Sequence, residues 1–548
     1  MPALEILRYL QGFSWTQALP YLIILFISWL VYALIIKPLS HPLVRQLRGP
    51  RFVPILGNVR EIIQNDTISN GVRWAKEYGH MLRYFFFFGT VRLMLFSPDA
   101  FKHILVTNSK NYGKNKYAMR LVRRFLGNGL VTSEGSVHTA HRKLANPAFG
   151  TSAIKKMLPK FSKKAVELCN FWDDQLRNCD NEECKMKFNI SEDIMRATLD
   201  VIGECTMSYD FNSLRFPDHE ISRAFRGAVS CLSIGFDIFL PKWHLWPTKR
   251  NRTINNYVKI IDGVVKTIIR EKEEKFAAAD KDEHDSLQKD LLAMMMSARD
   301  DGSGRGLSDE ELKDHVITFV TAGHETTSHG LTWLFLHLAQ NLEIQEKLRE
   351  EVVANLPDDV NDISMETIEK MEYLNAVVKE TLRLTPPVAM VFRETIEDDV
   401  ICGHRVPAGT TCHLAIASLM RLSPPVPVVL RSCNSDDNIC GQDVPAGTNI
   451  ILHLGAMMRL PEYWDDPETF KPERFINNDN INPYSWVPFV LGNRMCIGYR
   501  FALLEMKVMI ALLMKRFKFS WVPGFTYRTK LAITMRPDPP LELFVEPA

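Results

Sequence analysis

The chain has 548 residues, 46% hydrophobic and 24% charged, with 66 basic against 64 acidic side chains for a formal net charge of +2. That is an ordinary composition for a folded protein, and the near-balance of charge argues against a nucleic-acid partner. The length allows one large domain or several. Ten scattered cysteines include no CxxC pair, which reads as free thiols rather than a disulfide framework.

From Tyr9 to Ile36 no residue is charged, and Ala18 to Ile36 is almost wholly apolar. At 1.5 Å per residue that run spans roughly 28 Å as a helix, about one hydrocarbon core. It is too long for a signal peptide, and no small-x-small cleavage site follows. Glu5 and Arg8 precede it, whereas Lys37, Arg45, Arg48 and Arg51 follow. The positive-inside rule therefore expects a lumenal terminus over 1–17, a transmembrane anchor over 18–36 and a cytosolic body. Residues 37–58 are expected to form a stiff, turned linker, since Gly49, Pro50, Pro54 and Gly57 cannot continue a helix.

Between about 60 and 110, the apolar runs Met81–Phe88 and Val91–Phe96 predict a hairpin of a small sheet. Residues from about 150 to 380 have a mostly helical pattern. Within them, Ser230–Pro247 is apolar and aromatic, while Arg270–Asp290 is highly charged and expected to be a solvated helix end and loop.

The most informative stretch is Trp486–Gly498. It sets Cys496 between Gly492 and Gly498, with Arg494 two residues earlier and a helical pattern behind. Glycine lets backbone approach a flat ligand closely. Nearby amide N–H groups and a following helix N-terminus favour the thiolate. A cysteine so placed is a candidate axial ligand to haem iron. Phe489, Gly492, Arg494, Cys496 and Gly498 match the pattern F-x-x-G-x-R-x-C-x-G, so the chain resembles the cytochrome P-450 superfamily, of eukaryotic microsomal type. Val490 and Leu491 replace the smaller residues often found there.

The resemblance implies a mainly α fold with a small β region (α+β), one N-terminal transmembrane helix and a catalytic domain over 59–548. It implies haem b (iron protoporphyrin IX) and insertion of one oxygen atom from O2 into a lipophilic substrate. Electrons would come from an NADPH-cytochrome reductase, with cytochrome b5 as a second partner, at the endoplasmic reticulum membrane. Ser230–Pro247 would roof the substrate pocket against the membrane lipid.

Other motifs arrive in matching order. Ala322-Gly323-x-Glu325-Thr326 lies on a long apolar helix and resembles the family's oxygen-activation motif. There Thr326 and Glu325 would relay protons, and glycine would admit O2 close to the backbone. Glu380 and Arg383 form an ExxR pair on one helix face, a weak signal alone. Pro472-Glu473-Arg474-Phe475 strengthens it, giving a buried Glu380–Arg383–Arg474 cluster assigned to folding. Arg494 and Arg142 are the expected partners of the haem propionates, because a planar guanidinium suits a carboxylate. His138 stands where the family carries tryptophan and can still donate a hydrogen bond; an exposed helix histidine weighs equally.

One departure from the family is large. Residues 383–420 and 421–458 agree at 19 positions when aligned at a period of 38. Arg383-Leu384-Thr385-Pro386-Pro387-Val388 recurs as Arg421-Leu422-Ser423-Pro424-Pro425-Val426, and Ile401-Cys402-Gly403 as Ile439-Cys440-Gly441. The ExxR helix is not copied, since Ser418 stands where a second Glu380 would fall. Two units are too few for a solenoid, so this is a local insertion. Both copies carry an arginine at the family's further propionate position, Arg393 and Arg431, and only one can occupy it; Arg393 is favoured because it follows Arg383 without a gap. The duplicated pattern suggests two alternative exons read together and leaves open a haem-binding but catalytically impaired isoform; a separate alternative is a reductase-independent isomerase or dehydratase relative, which commonly lacks the acid–threonine pair.

Overall fold

A computed structural model describes residues 15–64, 67–114, 116–178, 185–230, 245–278, 290–299, 304–395, 399–402, 438–440, 442–444, 449–478, 480–531 and 534–548. Residues 231–244 of the expected pocket roof, 279–289 of the charged stretch, and Arg431 with the rest of 403–437 lie outside the described residues. So do residues 1–14.

The N-terminal helix Trp15–Val31 passes through a π-helical turn, Tyr32–Ile36, into Lys37–Leu39. Among the described residues it is the one helix long and apolar enough to cross a bilayer, over Leu19–Leu39. The segment after it docks onto the body. Leu43 is fully buried. Asn58 closes a reciprocal pair with Phe85, its backbone N–H bonding Phe85 O at 2.7 Å and its Oδ1 accepting from Phe85 N at 2.9 Å. A side chain at Gly57, where φ is +58°, would run into the Phe85 carbonyl, so glycine is required there.

The fold is mainly α with a small β region. Thirteen short strands are described: β1 (Met81–Phe85), β2 (Val91–Leu95), β3 (Tyr112–Gly113), β4 (Met186–Asn189), β5 (Val391–Thr395), β6 (Asp399–Cys402), β7 (Asn438–Cys440), β8 (Gln442–Val444), β9 (Asn449–Leu452), β10 (Phe517–Trp521), β11 (Arg528–Leu531), β12 (Met535–Asp538) and β13 (Glu542–Pro547). β1 and β2 pair antiparallel as the expected hairpin, Phe85 opposite Val91. They join a five-stranded sheet in the order β1-β2-β9-β5-β3. β10, β13 and β4 form a second sheet, and β11 pairs with β12 as a C-terminal hairpin.

The helical body is built around Asp309–Gln340, a helix buried along nearly its whole length. Its start is fixed by a capping box in which Ser308 and Glu311 satisfy each other's backbone N–H. Ile190–Met207, Thr151–Arg177 and Tyr499–Arg516 pack against it or one another around Trp172, Trp333 and Phe161, all fully or almost fully buried. Packed neighbours cover this helix on nearly every side, so it carries no single apolar stripe and its interior includes polar residues such as His324 and Glu325.

The duplicated region splits between two sheets. β5 and β6 come from the first copy, whereas β7, β8 and β9 come from the second. β5 pairs antiparallel with β9 across the copies, Val391 opposite Leu452 and Arg393 opposite Ile450. β6 and β7 pair parallel, with Val400 beside Asn438, Ile401 beside Ile439 and Cys402 beside Cys440. Each of those partners is the other's equivalent in the repeat.

Candidate active site

The cysteine loop is a tight reversal leading into the helix Tyr499–Arg516. Cys496 N–H bonds the Phe489 carbonyl at 2.9 Å, and Met495 N–H bonds Gly492 O at 2.9 Å. Gly492 has φ +68°, and an added Cβ would lie 1.9 Å from the Leu105 carbonyl, so this glycine serves the close packing of the loop on the His103–Thr107 turn. At Gly498 an added Cβ would meet only Phe149, at 3.8 Å. That position has room above it. Phe489 is half-buried, with its ring 6.4 Å from Trp486 and 6.2 Å from Tyr499. Val490 sits at φ +61°, the left-handed region, although it is β-branched.

Cys496 itself is open to solvent, yet it lies deep enough in the protein that burial pushes its thiol pKa up. Opposing the burial, the Gly498 N–H bonds the sulfur and the Arg142 guanidinium lies near it. Arg142 donates to Met495 O at 2.6 Å, and Arg494 donates to Ser133 O at 3.1 Å. Burial lowers the pKa of both, that of Arg494 to about 10, where the nearby Glu134 carboxylate opposes the burial and the neighbouring Arg142 charge adds to it. Among the described residues neither guanidinium forms an ion pair with a carboxylate. Two neighbouring cations whose hydrogen bonds go to carbonyls, beside a solvent-open thiol, are a fitting cradle for a dianionic, iron-bearing ligand. His138 is buried, not an exposed helix histidine. Arg393 is placed in β5 by its backbone.

A second opening lies on the long helix. Between His315 and Ala339 every residue is buried except Ala322, Gly323 and Thr326, which share one face over one turn. One turn earlier, Phe319 packs edge-on against Phe149, ring centroids 4.9 Å apart. Phe149 is the ring that also borders Gly498. Phe149 thus bridges the cysteine loop and the helix opening. Thr326 Oγ1 donates to Ala322 O at 2.8 Å. Gly323 has a packing reason of its own: an added Cβ would lie 2.8 Å from Ile202 on the neighbouring helix.

Glu325 is turned into the protein. Its carboxylate accepts from Thr534 Oγ1 at 2.9 Å, and His329 Nδ1 lies 2.7 Å from that same hydroxyl. Thr534 has one proton to give, so His329 supplies the Nδ1–H that it accepts. Burial holds the His329 pKa down to about 4, in keeping with a neutral ring. Neither Thr534 nor His329 was accessible to motif reading. Thr534 precedes β12, far along the chain, and a lone histidine on an apolar helix carries no signal.

Glu380, Arg383 and Arg474 also come together. Arg383 grips Glu380 through two parallel bonds, Arg474 Nε donates to Glu380 Oε1 at 3.1 Å, and Lys471 N–H adds a bond at 2.9 Å. Arg383 also bonds the carbonyls of Met458 and Pro467, each at 2.8 Å.

The cytochrome P-450 family model matches residues 47–421 and again 416–543. The chain belongs to the cytochrome P-450 family. A P-450 chain matched twice, with the break inside the repeat, carries one unit more than the family model. Cytochrome P-450 monooxygenase 205 of Postia placenta is 32% identical over 535 residues, covering 93% of this chain and 92% of that one. Cytochrome P-450 monooxygenase sphH of Aspergillus fumigatus is 28% identical over 518 residues, 90% and 86% of the two chains. Human cytochrome P-450 4F12 is 27% identical over 466 residues, 83% and 80%. The protein is accordingly a haem-dependent P-450 monooxygenase.

Proposed function

We propose that this protein is a membrane-tethered haem-thiolate monooxygenase that oxidises a lipophilic substrate with O2 and electrons from an NADPH-dependent reductase. The reading rests above all on Cys496, a solvent-open thiol bonded by the Gly498 N–H and flanked by Arg142. Haem b bound there would supply reductive activation of O2 and transfer of one oxygen atom to the substrate, with electron donation from the thiolate.

The chain's own residues do the rest. Arg142 and Arg494, with His138 and Arg393, hold the propionates. Phe489, Gly492 and Gly498 shape the loop that presents the thiolate. Ala322 and Gly323 leave space on the opposite face, where Thr326 holds its proton on the Ala322 carbonyl and can rotate to offer it at the opening. Glu325 takes part from the Thr534–His329 network, as a carboxylate kept out of water. Glu380, Arg383 and Arg474 keep the folded base of the site in place. The Leu19–Leu39 helix suits an anchor in the endoplasmic reticulum, with the body of 59–548 on the cytosolic side. Cytochrome b5 would be a second electron donor.

The test is the carbon monoxide difference spectrum of the reduced, membrane-expressed protein. A thiolate-type Soret shift that disappears in Cys496→Ser supports the reading. Absence of haem uptake by the wild-type chain overturns it; a thiolate-type Soret shift with no reductase-supported turnover would favour the haem-binding but catalytically impaired isoform, and peroxide turnover without any reductase the isomerase-type relative.

A further inference from the structure

We infer that the single P-450 unit between the ExxR helix and Pro472–Phe475 is a hybrid, built from residues 383–402 of the first copy and 441–458 of the second. The 38 residues 403–440 are then an insertion that the haem-binding fold does not need. The part concerning haem rests on the proposed function; the part concerning the fold does not.

Four observations carry it. The pairing of β5 with β9 crosses the copies, so each contributes one strand of the same sheet. Loop bonds cross likewise: Gly455 N–H of the second copy bonds Ala389 O of the first at 2.8 Å, and Arg383 bonds Met458 O. The first copy also supplies the contacts with the body, since Pro387 O accepts from Met535 N at 2.8 Å, and a Cβ on Gly330 of the long helix would lie 3.6 Å from Pro387 Cγ. Finally, β6 and β7 are repeat equivalents in register, and both pair with the same β8. Joining Cys402 to Gly441 would restore the sequence Asp-Asp-Val-Ile-Cys-Gly and leave the β6–β8 pair intact.

Side-chain chemistry explains why the second copy wins the central strand. β9 presents Ile450, Ile451 and Leu452, all at most 1% exposed. Their first-copy equivalents are Cys412, His413 and Leu414. Placing His413 where Ile451 sits would bury a polar ring among Tyr84, Phe96 and Met94. Connectivity agrees. The first copy continues directly from the ExxR helix, and the second leads directly into the carbonyls at Met458 and Pro467 that Arg383 binds.

The test uses the full-length chain with Ile451→Asp and His413→Asp, and the same chain lacking residues 403–440. Thermal melting and the carbon monoxide difference spectrum are read on each. The hybrid expects Ile451→Asp to lower the melting temperature and lose the haem signal, His413→Asp to change neither, and the deletion to keep both at or above wild type. Equal damage from His413→Asp, a silent Ile451→Asp, or an unfolded deletion protein would overturn it. Should no form take up haem, the melting contrast between the two aspartate variants still decides the hybrid, and only the functional reading fails.

Discussion

Arg383 and Glu380 meet in a fork-to-fork pair, Nε to Oε2 at 2.7 Å and Nη2 to Oε1 at 2.8 Å, with both side chains fully buried. The remaining guanidinium donor capacity reaches the backbone carbonyls of Met458, at the end of the second copy, and of Pro467 and Thr469 beyond it. A lysine can supply the charge but not the fork. Arg383→Lys therefore keeps the charge but leaves Glu380 poorly paired and several carbonyls unsatisfied, at a cost of about 1–3 kcal/mol. Denaturant melts should show that loss, with haem content falling in parallel. Unchanged stability would mean that the cluster does not support the fold.

Gly323 offers a cleaner separation of packing from chemistry. Alanine in a helix interior gains roughly 0.5–1 kcal/mol over glycine. Here the added methyl would press on Ile202 at 2.8 Å, and overpacking costs about 1–3 kcal/mol. Gly323→Ala is expected to destabilise the wild type by about 1 kcal/mol, but to stabilise an Ile202→Ala background. A double-mutant cycle by chemical unfolding measures this. Equal effects in both backgrounds would remove Ile202 as the reason for the glycine.

How far the sequence carried depended on whether a constraint was local. The cysteine loop, the hairpin of β1 and β2, and the ExxR pair were legible because their residues lie within a few positions of one another. The capping box at Ser308 and Glu311 had the same kind of signature. Glu325 shows the opposite case. Its motif suggests a partner in Thr326, but its hydroxyl partner is Thr534, brought in by the C-terminal hairpin. Gly323 likewise invites a ligand explanation, and only tertiary packing reveals Ile202. In the repeat, the period of 38 was evident, yet which half of which copy enters the sheet depends on burial of Ile451, a property of the assembled core.

Val490 carries strain that the loop does not need. It holds φ +61°, a conformation that costs a β-branched residue of order 1–3 kcal/mol. Its side chain packs only partly against the apolar cluster of Leu93 and Val487. Asparagine tolerates the left-handed region while keeping some bulk. Val490→Asn should stabilise the protein by about 1 kcal/mol, which for a chain of this size raises the melting temperature by roughly 1 °C. Differential scanning calorimetry of the holoprotein reads the shift. A lower melting temperature would show that Val490's packing outweighs its backbone strain.

His315 sets a pH dependence that can be removed with one substitution. Its ring is fully buried, edge-on to His141 at 4.8 Å and stacked on Phe319 at 5.7 Å, and neither nitrogen finds a hydrogen-bond partner. Burial, with the nearby His141 adding to it and Glu311 opposing, holds its pKa down to about 3. The unfolded chain takes up a proton on this ring near pH 6.5 and the folded chain only near pH 3. Stability is therefore lost as pH falls through that window, at up to about 1.4 kcal/mol per pH unit. His315→Phe keeps the flat ring against Phe319 and removes both the proton and the two unsatisfied nitrogens. The variant is expected to match or exceed wild type at pH 7, where leaving a buried polar atom unpaired already costs about 1–3 kcal/mol. Between pH 6.5 and 4 its unfolding free energy should fall by one proton less per pH unit than that of wild type. Denaturant titrations at half-unit pH steps measure the slope, and parallel curves for the two proteins would show that His315 does not titrate differently on folding.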